Sequence, residues 1–75
     1  MTIIDEQIKE ILARRDPKGY YVIPSDRSSM DIVSRFYSDL EFEEVGDLVF
    51  IKTRSRRVAE RIARILIQKG LIKSV

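Results

Sequence analysis

Ile4, Ile8, Ile11 and Leu12 recur at i, i+4, i+7 and i+8 near the start of the chain, which is one face of a helix. Thr2 followed by Asp5 approximates a capping box, and the acids Asp5 and Glu6 suit a first turn. The helix is expected over residues 1–16, ending near Arg15, because Pro17 disfavours helical backbone in the residue before it. Asp16-Pro17-Lys18-Gly19 then reads as a tight turn. Tyr20-Tyr21-Val22-Ile23 is a β-prone run stopped by Pro24. Ser28-Ser29-Met30-Asp31 opens a second helix, expected to reach about Asp39 with Met30, Val33, Phe36, Tyr37 and Leu40 on its apolar face. Residues 41–45 and 48–53 form a hairpin about Gly46-Asp47, an order reversed from the usual Asp-Gly. Ser55 caps a third helix to about Lys69, with a stripe of Val58, Ala59, Ile62, Ala63, Ile65 and Leu66. Gly70 suits the left-handed position past its end, and residues 71–75 read as a short last strand or as a tail, the tail leaving an α-β-α-β-β-α sandwich with a three-stranded sheet.

A helix followed by β-α-β-β-α-β predicts an α+β, ferredoxin-like two-layer sandwich over residues 19–75, with the N-terminal helix packed on or beside the sheet. All of residues 1–75 belong to one domain. The plan places strands one and three at the centre, and both runs are apolar on both faces. Strand two carries Glu41, Glu43 and Glu44, which suits an edge. With two helices on one face, the other needs a cover. The N-terminal helix is the first candidate and a second subunit the alternative.

Composition narrows the chemistry. Without Cys or His, disulfides, thiol nucleophiles and the usual general base are absent, and only carboxylate metal sites remain. No spacing of Ser, Lys, Tyr or carboxylates suggests a catalytic constellation, so a non-enzymatic protein without cofactor or metal is expected. Glu41, Glu43, Glu44 and Asp47 are explained by an edge charged against aggregation. The absence of Asn and Trp beside dense charge suggests a thermophilic source. No apolar run approaches the ~20 residues a membrane helix needs, and a soluble, cytoplasmic protein is expected.

Charge changes the picture most. Residues 52–75 hold eight basic residues against Glu60 alone, a net of +7. Residues 1–51 hold six basic against eleven acidic residues, a net of −5, so the overall +2 hides a dipolar chain. Arg57, Arg61 and Arg64 recur at i, i+4 and i+7 opposite the third helix's apolar stripe. That row suits phosphates, although pairing of Glu60 with Arg64 or Arg57 on a solvated face accounts for it too. Lys52-Thr53-Arg54-Ser55-Arg56-Arg57 sets four cations and two hydroxyls at a helix N-terminus, where free N–H groups favour anions. The expected topology adds Arg14, Arg15 and Lys18 at the same end, with Asp16, Asp39 and Glu41 nearby. The loop from Pro24 to Ser29 offers a weaker phosphate site, and ordinary capping explains it as well.

Gly46-Asp47-Leu48-Val49-Phe50-Ile51-Lys52 loosely resembles the third-strand motif of RNA-recognition-motif domains. Phe50 and Ile51 fit that pattern. Leu48 and Thr53 stand where stacking aromatics belong, and Gly46-Asp47 replaces the basic-Gly pair, which removes most of a base-stacking surface. The likeness is one of architecture and names no family. The expected function is nucleic-acid binding, DNA or RNA, through phosphates at Arg54, Arg56 and Arg57, flanked by Lys52, Arg61, Arg64, Arg14, Arg15 and Lys18. The rival is a protein-interaction module, a homodimer or subunit of a larger assembly, with no nucleic-acid role.

Overall fold

The computed structural model describes residues 3–73 and orders them α1 (Ile3–Ala13), β1 (Tyr21–Asp26), α2 (Ser29–Ser34), β2 (Glu41–Val45), β3 (Leu48–Thr53) and α3 (Arg56–Gln68). The expected Thr2 cap, the side chain of Ile4 and residues 74–75 lie outside the described residues. The fold is a small α+β one: a three-stranded antiparallel sheet in the order β1-β3-β2, with three helices. No described helix is long and apolar enough to cross a membrane.

Alternation sorts the sheet's two faces. Tyr21, Ile23 and Ser25 on β1 stand opposite Thr53, Ile51 and Val49 on β3, and all six are buried. Val33 from α2 and Ala59, Ile62 and Leu66 from α3 close over them to complete the core. Buried polar groups on this face are satisfied, since Ser25 Oγ donates to Val49 O at 3.3 Å and Ser29 Oγ to Asp26 O at 2.6 Å. Among the described residues no buried side-chain polar atom lacks a partner.

The hairpin and the third helix follow their local chemistry. Gly46 has φ 60° and, among the described residues, no non-glycine residue has positive φ, so Gly46-Asp47 has the glycine-first pattern of a type II′ turn. That accounts for the reversed order of the two residues. Ser55 Oγ accepts from Val58 N at 3.3 Å and caps α3. At its other end Leu71 N donates to Leu66 O at 2.8 Å across Gly70, at φ 70°, which is a Schellman closure.

Four expectations need correction. β1 runs through Pro24 to Asp26 instead of stopping before it. Pro24 turns its backbone to the sheet's outer edge, where its carbonyl accepts from Lys73 N at 3.0 Å, so no bond to β3 needs its missing N–H. Among the described residues the last strand shows one bridge, Ser25↔Ile72, and the ferredoxin-like βαββαβ order is not matched. Proline supplies the reason: residue 24 has no N–H to return to Lys73, and the pairing is half made. α2 ends at Ser34 instead of about Asp39. Ser38 and Asp39 favour turns, and Tyr37 and Leu40 still reach the core from the irregular segment they occupy. Ser28, at the N-cap of α2, makes no side-chain cap bond; it donates instead to Asp26 Oδ2 from its Oγ at 2.5 Å and its N at 3.0 Å. These two bonds, with Lys73 nearby, hold the Asp26 carboxyl below its usual pKa against the opposing pull of desolvation.

The N-terminal helix does not lie across the sheet's second face. α1 packs beside α3 and along the edge of β1, with Ile8 only 4% exposed and Asp5 Oδ1 3.5 Å from Arg64 Nη2. Its Ile11 lines a groove at that edge together with Val22 and Pro24. Leu48 and Phe50, farther across the same face, are half-buried.

Candidate functional site

Strand register assembles the basic end. Arg15 bridges Tyr21, and Tyr21 stands opposite Thr53, so the chain before β1 and the chain after β3 meet in one row. The turn between them is braced by Asp16, whose Oδ1 accepts from Lys18 N at 2.9 Å and Tyr20 N at 2.8 Å, while Gly19 N donates to Asp16 O at 2.9 Å. This carboxylate serves the backbone, and its expected neutralising role toward nearby cations is correspondingly limited.

Two arginines clasp the start of β1. Arg54 Cζ lies 4.7 Å from the centroid of Tyr20, and Arg15 Cζ lies 4.7 Å from that of Tyr21. Neighbouring strand residues face opposite ways, so the two stacks lie on opposite sides of the sheet. Stacking uses the flat face of a guanidinium and leaves its in-plane N–H donors available. Arg15 spends one on Gly19 O at 3.1 Å. Tyr20 itself is half-buried, with its hydroxyl donating to Glu41 Oε1 at 3.3 Å.

Arg56 and Arg57 are the first two residues of α3, and their amides precede the first intrahelical bond, Ala59 N to Ser55 O. Exposed side-chain cations and free amides therefore occur together at the positive end of the helix dipole. Arg57 and Arg61 lie on the exposed face of α3, opposite Ala59, Ile62, Ala63 and Leu66. Among the described residues no carboxylate lies within ion-pair distance of Arg14, Arg15, Lys18, Arg54, Arg56, Arg57 or Arg61.

Two expected site residues are engaged elsewhere. Lys52 Nζ lies 3.7 Å from Glu43 Oε2, and Arg64 Nη2 lies 3.8 Å from Glu60 Oε1 as well as near Asp5. Arg14 stands apart from the loop, lining a groove with Val22, Pro24 and Ile72 at the outer edge of β1. The segment after β1 has its polar groups engaged: Ser28 and Ser29 hydrogen-bond locally to Asp26, Ser25 Oγ donates across the sheet to Val49 O, and Arg27 Nε donates to Glu44 Oε1 at 2.8 Å. Turn chemistry, strand pairing and one ion pair account for it.

Sequence reasoning missed one residue. Phe36 was assigned to the buried face of the second helix, but α2 ends two residues earlier and the ring is 67% exposed. It lines a groove of about 300 Å³ whose other walls include Asp39, Thr53, Ser55 and Val58, so the groove opens beside the arginine loop. No local sequence signal marks this, because the apolar spacing of Phe36 matches a continued helix. The acidic cluster of β2 is dispersed by pairing, and among the described residues no three or more carboxylates converge as a metal site would require.

Comparison with known proteins gives no match: no family model fits the chain, and neither a curated protein nor a solved structure is similar to it.

Proposed function

We propose that this chain is a small non-enzymatic nucleic-acid-binding module that contacts phosphates through the loop from β3 into α3. The observation that carries the reading is the set of unpaired cations at one end of the sheet. Arg54, Arg56 and Arg57 form its centre, with Arg15, Lys18 and Arg61 flanking, while acids elsewhere on the surface take Lys52, Arg27 and Arg64. Stacking on Tyr20 and Tyr21 further orders two guanidinium groups before any anion arrives, which lowers the entropy cost of binding. Phosphate contacts position a protein without reading bases, so the module discriminates little between sequences.

The finer fold belongs to the same proposal. Strand order and the antiparallel Ser25↔Ile72 bridge beside β1 fit a ferredoxin-like unit with residues 71–73 in the place of its fourth strand. A cytoplasmic setting and a thermophilic source remain parts of the reading that rest on composition. A second reading, a homodimer or assembly subunit, is favoured by the exposed Val45 at the hairpin and the half-buried Leu48 and Phe50 on the sheet face.

The test is fluorescence anisotropy of short labelled DNA and RNA titrated with protein at several salt concentrations. Log affinity should fall linearly with log salt, with a slope equivalent to about three or more phosphates. No binding at low salt would leave the charge asymmetry to protein assembly.

A further inference from the structure

We propose that the preferred ligand of the basic end is single-stranded nucleic acid, held with one unstacked base against Phe36. The inference rests on the nucleic-acid reading and adds the form of the ligand. Among the described residues Phe36 is the one exposed aromatic, at 67%. It lines two grooves on the α2 side of α3. One leads to Thr53 and Ser55, the residues either side of Arg54, and the other, about 580 Å³, leads to Ile32, Ile65 and Lys69.

Cations stand at both ends of this track. Arg56 and Arg57 open α3 just past the near groove's Ser55, while Arg54 stacks on Tyr20 on the other side of the sheet; Arg35 and Lys69 line the far groove, and none of the five has a carboxylate within ion-pair distance among the described residues. From Ser55 to Lys69 the helix spans about 20 Å, long enough for a few nucleotides. An apolar ring between two groups of cations matches a strand that alternates bases with phosphates. Base stacking on aromatic side chains combined with a cationic path is how single strands are held without sequence preference. A duplex offers the same phosphates to the arginines but keeps its base faces stacked inside, so it gives Phe36 nothing to contact. Asp39, the carboxylate on the near groove wall, repels phosphate from that spot and leaves it to a base edge.

The test compares a labelled 12-nucleotide single strand with a hairpin duplex of the same sequence, each titrated by anisotropy at several salt concentrations, using wild type, Phe36→Ala and Phe36→Trp. Wild type should bind the single strand at least about tenfold more tightly. Phe36→Ala should weaken the single strand by about 5- to 150-fold and leave the duplex and the salt slope unchanged, and Phe36→Trp should restore binding. The ring is exposed, so circular dichroism should show both variants folded. Equal affinity for the two forms, or a neutral Phe36→Ala, would overturn the inference while the nucleic-acid reading stands. Failure of wild type to bind either form would remove both. Equally strong, Phe36-dependent displacement of the oligonucleotide by polyglutamate would make this a protein-docking face and overturn it as well.

Discussion

An Ile51→Ala variant is expected to be largely unfolded at room temperature. Ile51 is fully buried, stands between Ile23 and Phe42 in the strand register, and belongs to the cluster that Ile62 and Leu66 close. Truncating a buried isoleucine to alanine costs about 2–5 kcal/mol through lost transfer and the cavity left behind. A core of this size rarely supplies more than about 3–5 kcal/mol in total. There is neither a disulfide nor a cysteine to form one, so nothing covalent offsets the loss. Chemical denaturation followed by circular dichroism reads the effect directly. A loss below about 1 kcal/mol would mean that the central strand is less well packed than its burial indicates.

The combined variant Arg54→Ala, Arg56→Ala, Arg57→Ala should lose nucleic-acid affinity on the order of 100-fold at low salt. Three hydrogen-bonded contacts at about 1 kcal/mol each give about 3 kcal/mol, and each 1.4 kcal/mol is a factor of ten. Losing three phosphate contacts also lowers the salt slope by about 2 for a single strand. Stability should change little, because the three side chains are exposed and make no ion pair among the described residues. Removing cations from a helix N-terminus even relieves a small dipole penalty, against which stands the exposed Arg54–Tyr20 stack at about 0.5 kcal/mol. Unaltered affinity and slope in this variant would rule out the loop as the phosphate site.

How far the sequence could be read follows from where the decisive physics was local. The Asp16 turn, the Gly46-Asp47 hairpin, the Ser55 cap and the Gly70 closure each depend on residues within a few positions of one another, and all were legible. The central position of β3 was legible from a run apolar on both faces, whereas β1, expected beside it at the centre, is an edge strand of the described three-stranded sheet. Pro24 was misread because a proline stops a strand only when its missing N–H faces a partner, and orientation toward an edge is a tertiary property. The end of α2 was misread because Tyr37 and Leu40 reach the same core from an irregular segment as they would from a helix. Phe36 became an exposed ring through that same early ending. The chemical types of the site residues were visible, but not their pairing. That Lys52 goes to Glu43, and Arg64 to Asp5 and Glu60, follows from strand register and from α1 docking beside α3.

The central claim is that the end of the sheet bearing Arg54, Arg56 and Arg57 is the nucleic-acid site, and amide shift mapping by NMR tests it most directly. ¹⁵N-labelled protein titrated with a short single-stranded oligonucleotide should show its largest shifts at residues 15–20, 36–40 and 53–61, including the arginine Nε–H signals of the loop. Shifts gathered instead on Val22, Phe50 and the Glu41–Val45 strand, with the arginine loop silent, would contradict the account.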